Sequence, residues 1–156
     1  MSGDKRERCT NCSHKSLRLF VAAGLQPKIR VSNRESKKVS VLIIDDEPSV
    51  GDGLRLVLEE RGFEVVLVNN GRDGLEQARK HRFGFVIVDL FLTDAYGLDL
   101  IKEIHQRHPK LPILLITGHG TPEVFAAAHK LGAVGALSKP FQPAELLSLI
   151  AKRLDQ

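Results

Sequence analysis

From residue 39 onward, short apolar runs alternate with segments of helical period. The strand candidates are Val39–Asp45, Glu64–Val68, Phe83–Asp89, Pro112–Thr117 and Val134–Ser138. They are rich in Val, Ile, Leu and Phe and lack a clean in–out alternation, which predicts strands buried on both faces. The intervening segments place apolar residues on one helical face: Val50, Leu54, Val57 and Leu58; Leu100, Ile101 and Ile104; Val124, Ala128 and Leu131; Leu146, Leu147, Ile150 and Leu154. Gly62, Pro109 and Gly132 mark helix ends. Strand–helix alternation of this kind predicts an α/β domain with a parallel sheet, right-handed crossovers and helices on both faces.

Five such units occupy residues 39–156, which predicts a flavodoxin-like, doubly wound (βα)5 domain with a five-stranded sheet. Charge separates this region from what precedes it. Residues 1–38 carry ten Lys/Arg against three Asp/Glu, whereas residues 39–156 carry thirteen against sixteen. The basic character of the chain therefore belongs to an N-terminal extension, residues 1–38, and says little about the partners of the domain. Cys9 and Cys12 form a C-x-x-C with His14 nearby. No second Cys/His pair follows at zinc-finger spacing, and no thioredoxin-like context surrounds the pair, so two incidental thiols are the expected reading. Leu17–Ala23 is interrupted by Arg18 and is followed by a poor cleavage region, so export is not expected; a short amphipathic helix around Leu17–Leu25 is. No apolar run approaches the ~20 residues of a membrane span, and a cytoplasmic protein is expected.

In a doubly wound sheet, ligands bind beyond the carboxyl ends of the strands. The first strand ends in Asp45-Asp46-Glu47, the third in Asp89, the fourth in Thr117-Gly118 and the fifth in Ser138-Lys139-Pro140. If strands one and three are neighbours, several carboxylates converge on one pocket, with a lysine and a hydroxyl opposite. Carboxylates held together need compensation, and an all-oxygen site suits Mg²⁺. Metal, ammonium, hydroxyl and a carboxylate nucleophile are the equipment of phosphoryl transfer. Each piece also has a plainer reading. Asp45-Asp46-Glu47-Pro48 can begin a helix, Asp89 can be a solvated strand end, Thr117 can cap the next helix, and Lys139-Pro140 can be a strand exit. Their joint occurrence at four strand ends favours a site. His14, His81, His105, His108, His119 and His129 show no catalytic pairing and read as surface or capping residues, with His119 near the pocket mouth.

These residues carry a resemblance. Residues 40–155 resemble a response-regulator receiver domain of two-component signalling, similar to the chemotaxis regulator. The matching features are Asp45-Asp46, Asp89-Leu90 with Gly97 eight residues on, Thr117-Gly118 and Lys139-Pro140-Phe141. The segment Leu115–Gly120 is similar to receivers of the nitrogen-regulation type. The resemblance implies strand order 2-1-3-4-5. It implies that Asp89 accepts a phosphoryl group from a histidine kinase or histidine phosphotransfer protein. Asp46 would ligate Mg²⁺ directly, Asp45 partly through water, and the Phe91 carbonyl would complete the protein ligands together with Asp89. Lys139 would pair with Asp89 and then with phosphoryl oxygens, Thr117 would bind the phosphoryl group as a switch, and Pro140 would follow a cis bond. It further implies a signalling switch rather than an enzyme on a separate substrate, and leaves open a homodimer through the fourth helix, fifth strand and fifth helix.

Three departures stand out. Ala136 occupies the position of the family's aromatic switch residue, which puts the usual relay through the fifth strand in doubt. Phe91 is bulky and is expected to shield an acyl phosphate from water. Thr93 replaces a frequent proline, so a less rigid loop is expected there. Only Asp155 and Gln156 follow the last helix, so a stand-alone receiver acting on a partner protein or in a phosphorelay is expected. DNA binding is not expected, because the basic tail has no reading motif and no aromatic beyond Phe20. A phosphorylation-independent adaptor on the same fold is disfavoured by the intact Asp45, Asp46, Asp89, Thr117 and Lys139. An aspartyl-nucleophile phosphatase would want D-x-D after the first strand. A dinucleotide enzyme would want G-x-G-x-x-G, and Gly51-Asp52-Gly53 has Leu56 at the last place.

Overall fold

Aliphatic side chains on both sides of every central strand leave the sheet two apolar faces, and each must be covered by helices. The computed structural model describes residues 38–155. Its elements are β1 (Ser40–Ile44), α1 (Pro48–Glu59), β2 (Glu64–Val68), α2 (Gly71–Lys80), β3 (Phe85–Asp89), α3 (Gly97–Arg107), β4 (Ile113–Thr117), α4 (Pro122–Lys130), β5 (Gly135–Ser138) and α5 (Pro143–Leu154). All pairings are parallel, in the order β2-β1-β3-β4-β5. This is the doubly wound, flavodoxin-like (βα)5 fold expected from the sequence. Cys9, Cys12, His14 and the stretch Leu17–Leu25 lie outside the described residues.

The two faces divide the core cleanly. Val41, Ile43, Phe85, Ile87, Leu114 and Ile116 meet Leu54 and Leu58 of α1 and Leu146, Leu147 and Ile150 of α5. The alternate residues Leu42, Ile44, Val86, Val88, Ile113 and Leu115 meet Ala78 of α2, Leu100, Ile101 and Ile104 of α3, and Ala128 of α4. Each fully buried aliphatic side chain of this kind contributes about 1.5–3 kcal/mol relative to exposure. Strand ends fall one or two residues inside some of the apolar runs. Flanking Val39, Asp45, Gly84 and Val134 each still join one inter-strand backbone hydrogen bond.

The helix ends follow their local signals. Gly62 and Gly132 adopt positive φ (86° and 111°) after α1 and α4, and Pro109 follows the end of α3. The second helix carries no apolar stripe to announce it, because its buried contacts include Gly71, Gly74 and Ala78. A Cβ at Gly74 would run into the Ile44 side chain, so the missing side chain is what lets α2 approach β1.

Gly97 opens α3 directly under the end of β3. Its N–H donates to the Leu90 carbonyl at 2.7 Å. A Cβ there would overlap the Asp89 carbonyl oxygen and lie 2.8 Å from Leu90 Cα. Both neighbours are backbone and cannot rotate away. We therefore expect Gly97→Ala to lower stability by about 1–3 kcal/mol, read as a lower urea midpoint. A midpoint equal to wild type would show that the strand end yields more readily than this packing allows.

Candidate functional site

Parallel strands all point the same way, so whatever follows each strand collects along one edge. There β1 delivers Asp45, β3 delivers Asp89, β4 delivers Thr117 and β5 delivers Lys139. Asp45 is held from two sides. Its Oδ1 accepts the Glu47 N–H at 2.9 Å and its Oδ2 accepts Lys139 Nζ at 3.2 Å. The same ammonium lies 3.3 Å from Asp89 Oδ1 and 3.8 Å from Glu47 Oε2. The Lys139 backbone is fixed by its N–H bond to the Thr117 carbonyl (2.8 Å), and the Lys139–Pro140 peptide is cis.

Burial decides how these charges behave. The Asp45 and Asp89 side chains are 0% and 9% exposed, and that of Lys139 is 17% exposed. Burial is the main influence on Asp89 and pushes its pKa above the ordinary carboxylate value; Lys139 opposes this, and Asp45 adds to the rise. For Lys139, burial works against the ammonium, but Asp45 and Asp89 outweigh it and hold the pKa above the usual lysine value. One cation faces four carboxylates. The ligand oxygens of Asp45, Asp46 and Asp89 lie within 4.8 Å of one another. This is an all-oxygen donor set carrying excess negative charge, which fits a hard divalent cation such as Mg²⁺ and not a zinc site.

Asp46 has a contact that its sequence neighbours do not suggest. Its Oδ2 accepts both the backbone N–H of Thr93 (2.9 Å) and the Thr93 hydroxyl (2.7 Å). Where a proline is frequent, Thr93 thus supplies an N–H that a proline could not donate. Next to it, Asp94 accepts the N–H groups of Gly71 (2.7 Å) and Arg72 (3.0 Å) at the start of α2. Those bonds hold the Asp94 carboxyl below its ordinary pKa. The advance signals for this pair were the replacement of a frequent proline by Thr93 and the polar Asp94 beside it in the loop after Asp89.

The rim of the site is aromatic. Phe91 is 52% exposed, tilted against Tyr96 (centroids 5.6 Å apart) and edge-on to His119 (5.9 Å). Thr117 is buried and accepts the His119 N–H at 3.0 Å. It is not the cap of α4; Thr121 is, accepting the Val124 N–H. Similarly, α1 starts at Pro48 with Glu47 as N-cap, but no side chain caps it, and the Asp45 carboxylate serves the turn before it. Ala136 pairs with Leu115 in the sheet and brings no aromatic ring. An aromatic reaches this end of the sheet from α4 instead: Gly120 has no room for a Cβ between the Phe125 ring and Ser138 Oγ. An apolar groove lined by Val50, Leu54, Val57, Phe141 and Leu146 opens between α1 and α5 beside Lys139.

Comparison with known proteins agrees with this geometry. The family model described as "response regulator receiver domain" matches residues 41–151. The transcriptional regulatory protein FixJ of Bradyrhizobium diazoefficiens is 33% identical over 119 residues, which is 76% of this chain and 58% of FixJ. FixJ thus extends well beyond the matched region. Among solved structures, the chemotaxis response regulator CheY4 of Vibrio cholerae is similar with a TM-score of 0.70 and 30% identity, covering 74% of this chain and 98% of CheY4. A response regulator protein from Burkholderia pseudomallei, solved with a phosphorylated aspartic acid, calcium ion and citrate, has a TM-score of 0.69 and 30% identity, over 76% of this chain and 71% of that one.

The strained charge balance has a measurable consequence. A folded-state pKa raised above the unfolded value means that Asp89 favours folding when protonated and opposes it when ionised. Asp89→Asn is therefore expected to stabilise the metal-free protein at pH 7. The gain should shrink as pH falls through the raised pKa and vanish below the ordinary carboxylate value. Urea titrations at several pH values check this; a gain that grows toward acid would contradict it.

Proposed function

The chain belongs to the response-regulator receiver family, and from that premise we propose that Asp89 is its phosphoacceptor, charged by a histidine kinase or a histidine phosphotransfer protein in a Mg²⁺-dependent reaction. The observation that carries this is the buried Asp89 carboxylate 3.3 Å from Lys139, in one oxygen cluster with Asp45 and Asp46. The phosphorylated aspartate and divalent cation in the Burkholderia relative support the same chemistry here. On this reading residues 39–156 are the receiver and residues 1–38 a basic extension.

Asp89 Oδ attacks phosphorus in line; the new O–P bond forms as the N–P bond of phosphohistidine breaks, and its electron pair returns to the imidazole. Bound to Asp45, Asp46, Asp89 and the Phe91 carbonyl, Mg²⁺ would neutralise charge on the transferred group. Lys139 already sits between Asp45 and Asp89 and can follow the phosphoryl oxygens without leaving the site. The α1–α5 groove gives a protein donor an apolar footing beside the acceptor. A phosphoryl group adds nearly two negative charges and three acceptors. Among the described residues Thr117 Oγ accepts the His119 N–H, and a phosphoryl oxygen would offer its hydroxyl a new acceptor, which gives the phosphorylated state a contact of its own. The chain is a switch that assists its own phosphotransfer, acting in the cytoplasm through a protein partner or a phosphorelay. Among the described residues no helix is long and apolar enough to cross a membrane.

Two measurements test the proposal. Incubation with acetyl phosphate and Mg²⁺ should add one phosphoryl group by intact mass, and Asp89→Asn should abolish it. Mg²⁺ binding without any uptake would favour a phosphorylation-independent adaptor. Phe91, packed against Tyr96 and His119, should slow hydrolysis of the acyl phosphate, so Phe91→Asn should shorten its lifetime severalfold. An unchanged lifetime removes the shielding role.

A further inference from the structure

We infer that Thr93 is a positioning residue for the cation site, holding Asp46 ready to ligate, and that Asp94 anchors the loop from which Thr93 acts. This rests on the receiver reading of Asp45, Asp46 and Asp89. Asp45 is fixed by a backbone N–H and by Lys139, and Asp89 ends a strand. Asp46 has neither support. It lies in the turn between β1 and α1, and Lys139 does not reach it among the described ion pairs. Its described hydrogen bonds are the two from Thr93, both to Oδ2. Two donors on one oxygen fix the rotation of the carboxylate and leave Oδ1 without a donor among the described residues. Oδ1 is then the oxygen offered to a cation.

The brace is only as firm as its own loop. Asp94 ties that loop to α2 through Gly71 and Arg72, and the Leu92 N–H bonds the Ala95 carbonyl at 3.1 Å. Thr93 and Asp94 thus link β1, β3 and α2 around the site. Both Thr93 donors are neutral, so they bring no positive charge that would compete with a cation. What they remove is the rotamer freedom that would otherwise be lost on binding, which corresponds to about threefold to tenfold in affinity.

The test is Mg²⁺ titration calorimetry on the full chain, paired with acetyl phosphate uptake. Thr93→Val keeps the N–H and the volume but loses the hydroxyl, and should weaken Mg²⁺ binding severalfold. Thr93→Pro loses both donors and should weaken it further, while Thr93→Ser should restore wild-type affinity. At saturating Mg²⁺ the uptake rate of Thr93→Val should return close to wild type, a split that general destabilisation would not produce. Wild-type affinity in Thr93→Val and Thr93→Pro would overturn the inference while leaving the receiver reading intact. Failure of the wild-type chain itself to bind Mg²⁺ or take up phosphoryl would overturn both. If Thr93→Pro does not fold, Thr93→Val and Thr93→Ser still decide the matter.

Discussion

One ammonium set against four carboxylates at the end of a parallel sheet is the constraint on which the site depends. Lys139 touches Asp45 at 3.2 Å, Asp89 at 3.3 Å and Glu47 at 3.8 Å, and it cannot neutralise all of them. The rest of the edge is arranged around that deficit. A turn N–H serves Asp45, and Thr93 serves Asp46. Asp89 has less help and carries the raised pKa. The carboxylate least well compensated is the one proposed to react. Phosphorylation as proposed would replace the Asp89 anion with a mixed anhydride whose phosphoryl group carries nearly two negative charges, so the edge would need more positive charge after transfer than before, which Lys139 and a bound cation would supply.

The aliphatic core makes this charge balance tolerable. Apolar layers on both sides of β1 and β3 fix the strand ends, and a like-charge cluster can persist only where the backbone beneath it cannot move. Gly97 shows how close the tolerance is, because the first turn of α3 rests directly on the Asp89 and Leu90 backbone. The family match, the strand order and the all-oxygen cluster therefore describe one physical arrangement.

Sequence made the strands and four of the helices legible, because aliphatic runs and 3.6-residue spacing are local properties. The residues at the four strand ends were legible for the same reason: a parallel sheet sends all of them to one edge. What stayed hidden depended on contacts between distant segments. Helix α2 packs through Gly71 and Gly74, which leave no hydrophobic period to count. Thr93 reaches Asp46 across 47 residues of chain, and a substitution that reads as loss of a stiff proline becomes in space the gain of a donor. Thr117 looked able to cap a helix, yet Thr121 does so, because the turn after β4 runs on past Gly118 and Gly120 before the helix starts.

Ala136 raises the question of how an added phosphoryl group is felt beyond its own pocket. The fifth strand offers no ring to rotate, which leaves the turn after β4 as the route for the proposed signal. Thr117 now accepts the His119 N–H. Were Thr117 to turn its hydroxyl toward a phosphorylated Asp89, as proposed, the bond from His119 would have to adjust with it. Gly120 lies in the same turn, pressed between the Phe125 ring of α4 and Ser138 Oγ. A shift of the turn therefore reaches α4 through an aromatic side chain, and Ser138 immediately precedes Lys139. Only one residue of α4, Ala128, is fully buried, fewer than in any other helix of the domain. With no aromatic on β5, the ring beside this turn is Phe125, supplied by α4 from the opposite side.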